Sequence, residues 1–199
     1  MALEQQGWRA AATWGAAGVL LAAGLLGGAP VHAQAPLPVT VTLLPQRYFV
    51  ERIGGPRVRV TVMVPPGADA HTYEPRPRQM AELSRSRLYI AVGDPFESVW
   101  LPKFKAANPN LPVVNTDAGI EKLPMADDDD EHDHAHPVPG KAEAPEGLRD
   151  PHIWLSPPLV KIQAAHIRDG LVGADPTHRA DYEANHVRFL QELDALDTE

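Results

Sequence analysis

The sequence predicts an α/β protein with a four-stranded, mainly parallel sheet that is flanked by helices. Short runs of β-branched and apolar residues alternate with stretches of helical spacing from residue 39 onward, and this alternation is typical of β-α-β units. One run, residues 88–92, is continuously apolar, as expected for a strand that is covered on both faces. Hydrophobic residues make up 44% of the 199-residue chain, which is enough for the core of one ordinary domain.

Residues 1–33 are predicted to be a signal peptide for export. Arg9 precedes an apolar run rich in alanine, glycine and leucine, residues 14–29, and small residues lead up to Ala33. Cleavage is expected after Ala33; cleavage after Ala35 and an uncleaved membrane anchor are the alternatives. Because the sequence contains no cysteine, lipid attachment to a cysteine at the processing site is excluded, and a freely soluble periplasmic protein is expected.

The strands and helices follow in order after the signal peptide. Strands are predicted at residues 39–44, 57–64, 88–92 and 112–115. Helices are predicted at residues 45–53, 77–85 and 96–107, at about 158–171, and from Thr177 onward. The second strand is the clearest, because four valines recur at every second residue. Glycine and proline stand at most of the boundaries and are expected to end the elements there.

A long connection, about residues 117–150, separates the fourth strand from the next helix. Its length and its proline, glycine and charge content predict a mobile loop. The acidic segment of this loop, residues 127–136, holds six carboxylates and three histidines. Imidazole and carboxylate together suit zinc and similar divalent ions, so His132, His134 and His136 are candidate ligands of an auxiliary metal site. An acidic linker that only keeps the chain soluble is the alternative interpretation.

The charge balance excludes a nucleic-acid-binding surface. The chain has 18 basic and 26 acidic residues, for a net charge of -8, whereas binding to phosphates requires clustered lysine and arginine. Four arginines, Arg76, Arg78, Arg85 and Arg87, are locally basic and are expected on a solvated helix face. Without cysteine, disulfides, thiolate zinc sites and thiol catalysis are also excluded. A bound metal must therefore be held by nitrogen and oxygen atoms.

His71 and His152 are the candidate ligands of the main metal site. His71 lies in a proline-bounded loop, residues 65–75, after the second strand, and His152 follows the long loop that leaves the fourth strand. In open α/β sheets, ligands bind outside the carboxyl ends of the strands, where such loops converge. Both imidazoles are therefore expected to face one ion. Asp150 is expected to orient the His152 ring, and Trp154 to shield the site from water.

The two motifs that contain these histidines resemble a known family. Residues 65–75, Pro-Pro-Gly-Ala-Asp-Ala-His-Thr-Tyr-Glu-Pro, and residues 150–155, Asp-Pro-His-Ile-Trp-Leu, flank the His/Asp-rich loop. In this order they resemble the periplasmic zinc-binding proteins of bacterial zinc ABC importers, within the zinc/manganese solute-binding proteins. The resemblance runs from about residue 39 to the C-terminus. It implies that His71 and His152 each bind the metal, and that two α/β lobes are joined by a long helix.

The resemblance implies that the protein captures Zn²⁺, or alternatively Mn²⁺, and delivers it to an ABC-type metal permease in the inner membrane. It is expected to act as a monomer. Residues 34–175 are then the N-terminal lobe and residues 176–199 the start of the linking helix, with the C-terminal lobe absent. The richness in histidine favours zinc over the harder manganese ion. The sequence departs from the family at Ala70, where some zinc-specific relatives have glutamate, and at Ser156, which replaces a common aspartate.

Two other functions remain open at this point. One is a periplasmic metal buffer that uses only the acidic segment. The other is a zinc hydrolase in which His71 and His152 hold an ion and Glu74 acts as general base. The sequence lacks His-Glu-x-x-His, Gly-x-Ser-x-Gly and a glycine-rich phosphate loop, so the chain is predicted not to be an enzyme. The remaining histidines of the predicted helices are expected on solvated faces. They are His166, His178 and His186.

Overall fold

Four parallel strands form the centre of the computed structural model, which describes residues 35–125 and 149–197. The strands are β1, Leu37–Val41, β2, Val58–Val62, β3, Leu88–Ala91, and β4, Val113–Asn115. They lie in the order β2-β1-β3-β4, and all three neighbouring pairs are parallel. This confirms the predicted sheet. The predicted signal peptide, residues 1–33, and the acidic segment, residues 127–136, lie outside the described residues.

Five α-helices connect and follow the strands. They are α1, Leu44–Gly54, α2, Pro77–Leu83, α3, Pro95–Ala107, α4, Pro157–Ala174, and α5, Arg179–Leu196. The first four have proline in the first turn, where its missing N–H costs no helical hydrogen bond. Among the described residues, no helix combines the length and apolar character needed to cross a membrane.

The first strand begins and ends earlier than the predicted range, residues 39–44. Its end is decided by a side chain, because the backbone N–H of Leu43 donates to Oε1 of Gln46 at 2.8 Å and Leu44 already begins α1. Gln46 is itself buried and donates through Nε2 to the carbonyl of Ile90 at 3.0 Å. The glutamine thus joins the start of α1 to β3, a link that the apolar pattern of the strand does not reveal.

The sheet is covered on both faces, as the apolar run of β3 predicts. All four residues of β3 are buried. On one face, β1 and β3 pack against α1, α4 and α5. The main contributors from these helices are Val50, Ile53, Ala164, Ile167, Tyr182 and Phe189. On the other face, Tyr89 and Ala91 pack with Phe96 and Phe104 of α3. The loops at the strand ends are therefore attached to a sheet that is fixed by two cores.

The prediction that His186 lies on a solvated face is wrong. Only 6% of its surface is exposed, because it shares one face of α5 with Tyr182, Phe189 and Leu193, which all pack into the core. Burial lowers the pKa of His186, and Arg168 lowers it further. Its Nε2 has no hydrogen-bond partner within the described part of the chain. The position of His186 on the apolar face of α5 therefore buries it, even though its ring is polar.

The other two helix histidines are partly covered. His178 contacts Oδ2 of Asp175 through Nδ1 at 2.6 Å, and the same carboxylate oxygen accepts a hydrogen bond from the hydroxyl of Tyr182 at 2.8 Å. His166 Nε2 lies 3.0 Å from the carbonyl oxygen of Ala118. Each ring thus contacts another part of the fold. His178 contacts Asp175 at the junction of α4 and α5, and His166 contacts Ala118 in the turn after β4.

Candidate metal-binding site

A cleft of about 260 Å³ lies where the loops meet at the carboxyl edge of the sheet. The residues lining it come from after each of the first three strands and from both ends of the long loop. They include Leu43, Asp69, His71, Asp94, Met125 and His152. The two histidines that the sequence predicts as ligands therefore line the same cleft. Parallel pairing explains this placement, because it brings the carboxyl ends of the strands to one edge.

The loop that carries His71 is held by short-range contacts. Asp69 accepts a hydrogen bond from the backbone N–H of His71 through Oδ1 at 2.9 Å and one from the hydroxyl of Thr72 through Oδ2 at 3.2 Å. This is a turn in which an aspartate replaces a backbone acceptor. On the other side of His71, the hydroxyl of Tyr73 donates to Oε1 of Gln79 at 2.6 Å. The backbone at His71 is fixed, and its ring is exposed.

Gln79 anchors this loop to the sheet. Its Nε2 donates to the carbonyl of Met63 at 2.6 Å and to that of Val62 at 3.2 Å. Its Oε1 accepts from Tyr73 and from the backbone N–H of Arg76 at 2.9 Å. The amide therefore uses both of its donors and both acceptor positions of its oxygen. One side chain fastens the end of β2, the His71 loop and the start of α2 together.

His152 is held both by its backbone and by its ring. Oδ1 of Asp150 accepts a hydrogen bond from the backbone N–H of His152 at 2.9 Å and lies 2.6 Å from the ring Nδ1. The hydrogen bond from the backbone N–H has the larger effect and the contact with the ring the smaller, and both lower the pKa of Asp150. An ionised carboxylate can only accept, so the neutral ring carries its proton on Nδ1 and presents the lone pair of Nε2. The predicted contact between Asp150 and His152 is therefore present.

Trp154 packs beside His152, with the two ring centroids 5.0 Å apart and the ring planes at 57°. The indole also lines the cleft. It covers one side of the His152 ring and limits the directions from which water can approach. Both Asp150 and Trp154 thus restrict His152, whereas among the described residues the ring of His71 makes no hydrogen bond.

The described residues of the cleft provide two imidazoles and no complete metal site. Within residues 35–125 and 149–197, no three His, Cys, Asp or Glu side chains are grouped so that they could hold a metal ion. Zinc normally takes four ligands, so two histidines could supply at most half of a zinc coordination sphere. The predicted auxiliary ligands, His132, His134 and His136, lie outside the described residues.

Sequence reasoning missed a group of polar residues behind the cleft. Glu97 of α3 is buried and accepts hydrogen bonds from the backbone N–H groups of Val92 and Gly93, both at 2.8 Å, and from the hydroxyl of Thr42. Burial raises the pKa of Glu97. Lys122 lies on the other side of the same backbone. The one available signal is a pair of oppositely charged residues in the segments that follow β3 and β4, which is too common to single them out.

A family model described as the periplasmic zinc-uptake complex component A matches residues 39–199. The high-affinity zinc uptake system protein ZnuA of Bacillus subtilis is 27% identical over 163 residues, which are 81% of this chain and 49% of that protein. The manganese-binding lipoprotein MntA of Halalkalibacterium halodurans is 32% identical over 148 residues, 74% of this chain and 43% of that protein. These matches confirm the resemblance that the two histidine motifs indicate.

A solved structure supports the same relationship. The crystal structure of a 138–173 deletion mutant of ZnuA with zinc bound superimposes with a TM-score of 0.68 and 45% sequence identity, over 81% of this chain and 55% of that one. The match confirms the α/β fold. The present chain spans between 32% and 50% of the length of the first curated relatives that it matches.

Proposed function

Because this chain belongs to the family of periplasmic zinc-uptake complex component A proteins, we propose that it captures zinc, or a related divalent transition metal, for an ABC-type importer. His71 and His152 are the proposed ligands. The observation that carries the proposal is that both histidines, which are far apart in the sequence, line one cleft at the carboxyl edge of the sheet. Asp150 supports it by leaving Nε2 of His152 as the nitrogen that can bind an ion.

The ligand type favours zinc over manganese. Imidazole nitrogen is a good ligand for zinc, whereas manganese prefers oxygen ligands and binds most nitrogen sites more weakly. Among the relatives, MntA is described as manganese-binding and ZnuA as a zinc uptake protein, so the fold by itself does not choose the ion. Two histidines at the cleft, one held by a carboxylate, are the features of this chain that make zinc the first choice.

The proposed place of this chain in the importer follows from the family. Residues 34–175 would form the N-terminal lobe, and residues 176–199, which include α5, would begin the linking helix to a second lobe. That lobe would complete the coordination sphere. The protein would act as a monomer in the periplasm after cleavage of residues 1–33, and would hand the ion to a permease in the inner membrane. His132, His134 and His136 would form an auxiliary site of lower affinity.

Of the two competing functions, the hydrolase is contradicted and the metal buffer stays an alternative. The family match confirms the prediction that the chain is a binding protein and not an enzyme, since the matched relatives are metal-binding components of uptake systems. Glu74, the base of the hydrolase hypothesis, is exposed and does not line the cleft. A metal buffer that works through the acidic segment stays an alternative, because that function would need neither His71 nor His152.

Deletion of residues 127–136 distinguishes capture at the cleft from buffering by the acidic segment. We expect calorimetry to show one zinc site in the shortened chain, with an affinity that falls about tenfold or more when His71 or His152 is replaced by alanine. His178→Ala is the matched control, since this ring contacts Asp175 at the junction of α4 and α5 and does not line the cleft. Loss of all zinc binding on deletion, or unchanged binding in the double variant of His71 and His152, would overturn the proposal.

A further inference from the structure

Lys122 joins the turn after β3 to the beginning of the long loop. Its Nζ donates to Oδ2 of Asp117 at 2.7 Å, to the carbonyl of Gly93 at 3.0 Å and to that of Val92 at 3.3 Å. These three acceptors match the three N–H groups of an ammonium. The Lys122 side chain is only 12% exposed, so these contacts replace most of its hydration. Its position is therefore well defined, unlike that of a typical surface lysine.

The turn that Lys122 contacts is held on its other side by Glu97. The ammonium of Lys122 binds the carbonyl groups of Val92 and Gly93, while the carboxylate of Glu97 binds the N–H groups of the same two residues. The two side chains thus hold the backbone between them. Gly93 has a positive φ of 75°, and a Cβ atom there would overlap the Lys122 ammonium and the carboxylate of Asp117. The turn can accept the lysine only because this residue is glycine.

The backbone that follows Lys122 is paired with the residues just before His152. The carbonyl of Leu123 accepts a hydrogen bond from the N–H of Asp150 at 2.8 Å, and Pro124 forms an isolated antiparallel bridge with Arg149. Arg149 also donates through Nη1 to the carbonyl of Lys122 at 3.3 Å. Residues 122–124 and 149–150 therefore form a clamp that holds the two ends of the long loop together.

The clamp connects Lys122 to the ring of His152 through a short series of contacts. Lys122 fixes its own segment to the turn after β3, and the next residue, Leu123, binds the N–H of Asp150. Asp150 in turn holds Nδ1 of His152. Without the ammonium, the segment would lose its side-chain attachment to the turn, and Asp150 would be held mainly by a two-residue bridge that is exposed at Arg149.

We propose that Lys122 is a positioning residue of the metal site, which orients Asp150 and His152 before an ion binds. The proposal rests on the proposed function, in which His152 is a ligand. A site that is correctly arranged for only part of the time binds with an affinity reduced by that fraction. If loss of the lysine leaves the His152 segment correctly placed for about one fifth of the time, zinc affinity falls about fivefold.

Replacement of Lys122 by methionine tests the proposal. The background is the full chain with His132, His134 and His136 changed to serine, so that the acidic segment binds no zinc through histidine. We expect Lys122→Met to weaken zinc binding about threefold to tenfold by calorimetry. In the metal-free protein, the Asp150 amide should exchange its hydrogen faster, and the ¹⁵N spectrum of His152 should show a mixture of ring tautomers. Lys122→Arg, which keeps the charge, should restore part of each property.

Lys161→Met is the matched control. Lys161 is also partly covered and contacts a carboxylate, Oδ1 of Asp194, at 2.5 Å, but it connects α4 to α5 away from the cleft. The Lys161→Met variant should leave the zinc affinity, the hydrogen exchange of the Asp150 amide and the ring tautomer of His152 unchanged. Should Lys122→Met fail to fold, Asp117→Asn keeps the size of the partner and weakens only the ion pair, and should shift the same three properties less.

The result that would overturn the proposal is a Lys122→Met protein that loses thermal stability while all three properties stay as in the parent. Lys122 would then be a structural residue only. Failure of the proposed function is recognised separately: His152→Ala would leave zinc affinity unchanged, whereas amide exchange and the ring tautomer, both measured without metal, would still report on Lys122.

Discussion

The two histidines of the cleft are held in different ways. His71 depends on contacts between residues that are close in the sequence, whereas His152 also depends on a contact between residues that are far apart in it. The His71 loop is fixed by near neighbours in the sequence, Asp69 and Gln79, and its ring is left without a hydrogen bond within the described residues. His152 is held at its ring by Asp150, whose own position depends on Leu123 across the long loop. A histidine whose ring is held by a contact and one whose ring is exposed thus line the same cleft.

This contrast suggests a division of roles. A ring that is already oriented loses little conformational freedom when it binds an ion, whereas an exposed ring must be ordered at that moment. His152 would therefore provide the defined half of the site, and His71 would adjust to the ion and to any further ligands. Ordering the His71 ring on binding would cost affinity, but under the proposed function it would also ease release of the ion to an importer.

The largest expected effect comes from replacing the two aspartates, Asp150 and Asp69, by alanine. Asp150→Ala removes the acceptor of the His152 ring, and we expect zinc affinity to fall about tenfold to hundredfold, as is usual when a partner of a metal-bound histidine is lost. Asp69→Ala removes contacts to the backbone N–H of His71 and to the Thr72 hydroxyl, and should cost about threefold. Calorimetry in the background without loop histidines measures both.

Asp150→Asn provides the control for the first of these variants. The asparagine oxygen can still accept from the Nδ1–H of His152, so most of the affinity should remain. Equal losses for Asp69→Ala and Asp150→Ala would contradict the distinction between the held ring of His152 and the exposed ring of His71, because the effect would then not depend on the ring contact.

Much of this arrangement could be predicted from the sequence, because it rests on patterns within single segments. The valines of β2, the apolar run of β3 and the proline-bounded motif around His71 each report their own environment. Lys122 could not be identified in this way, since two of its three acceptors are backbone carbonyl groups, and backbone groups leave no trace in the residue pattern. The same holds for Gln79, whose two donors both reach main-chain oxygen atoms at the end of β2.

The second prediction concerns the anchor of the His71 loop. Gln79→Ala leaves the carbonyl groups of Val62 and Met63 and the hydroxyl of Tyr73 without their partner. We expect the free energy of unfolding to fall by about 2 kcal/mol, because partly buried polar groups lose hydrogen bonds. Zinc affinity should fall only about threefold, since the ring of His71 is not itself held. Urea denaturation without metal and calorimetry with zinc measure the two effects.

Tyr73→Phe is the matched control for Gln79→Ala. It removes the one hydrogen bond between the Tyr73 hydroxyl and Gln79 but keeps the ring, which packs near Phe96 with the centroids 6.5 Å apart. The expected loss of stability is about 1 kcal/mol. If Gln79→Ala were no more destabilising than Tyr73→Phe, the amide would not be the anchor that joins β2, the loop and α2.

The smallest expected effect concerns His186, which lies in the core and not in the cleft, and the pH dependence of stability. Burial lowers the pKa of His186 below its ordinary value of about 6.5. Between these two values the unfolded chain binds more protons than the folded protein, so stability rises with pH. The contribution of neutral His186 is therefore complete above about pH 6.5 and is lost as the pH falls toward the lowered pKa. His186→Leu should remove this part of the pH dependence.

Thermal unfolding of the metal-free protein at pH 7 and pH 5 tests this. The midpoint of the parent should fall more on acidification than that of His186→Leu. At pH 7 the leucine variant should be at least as stable as the parent, because Nε2 of His186 has no partner in the described structure and its replacement leaves no polar group unsatisfied. His166→Leu, at a partly exposed ring outside the core, should keep the parental difference between the two pH values. A parental pH dependence in His186→Leu would contradict the prediction, because other groups would then cause it.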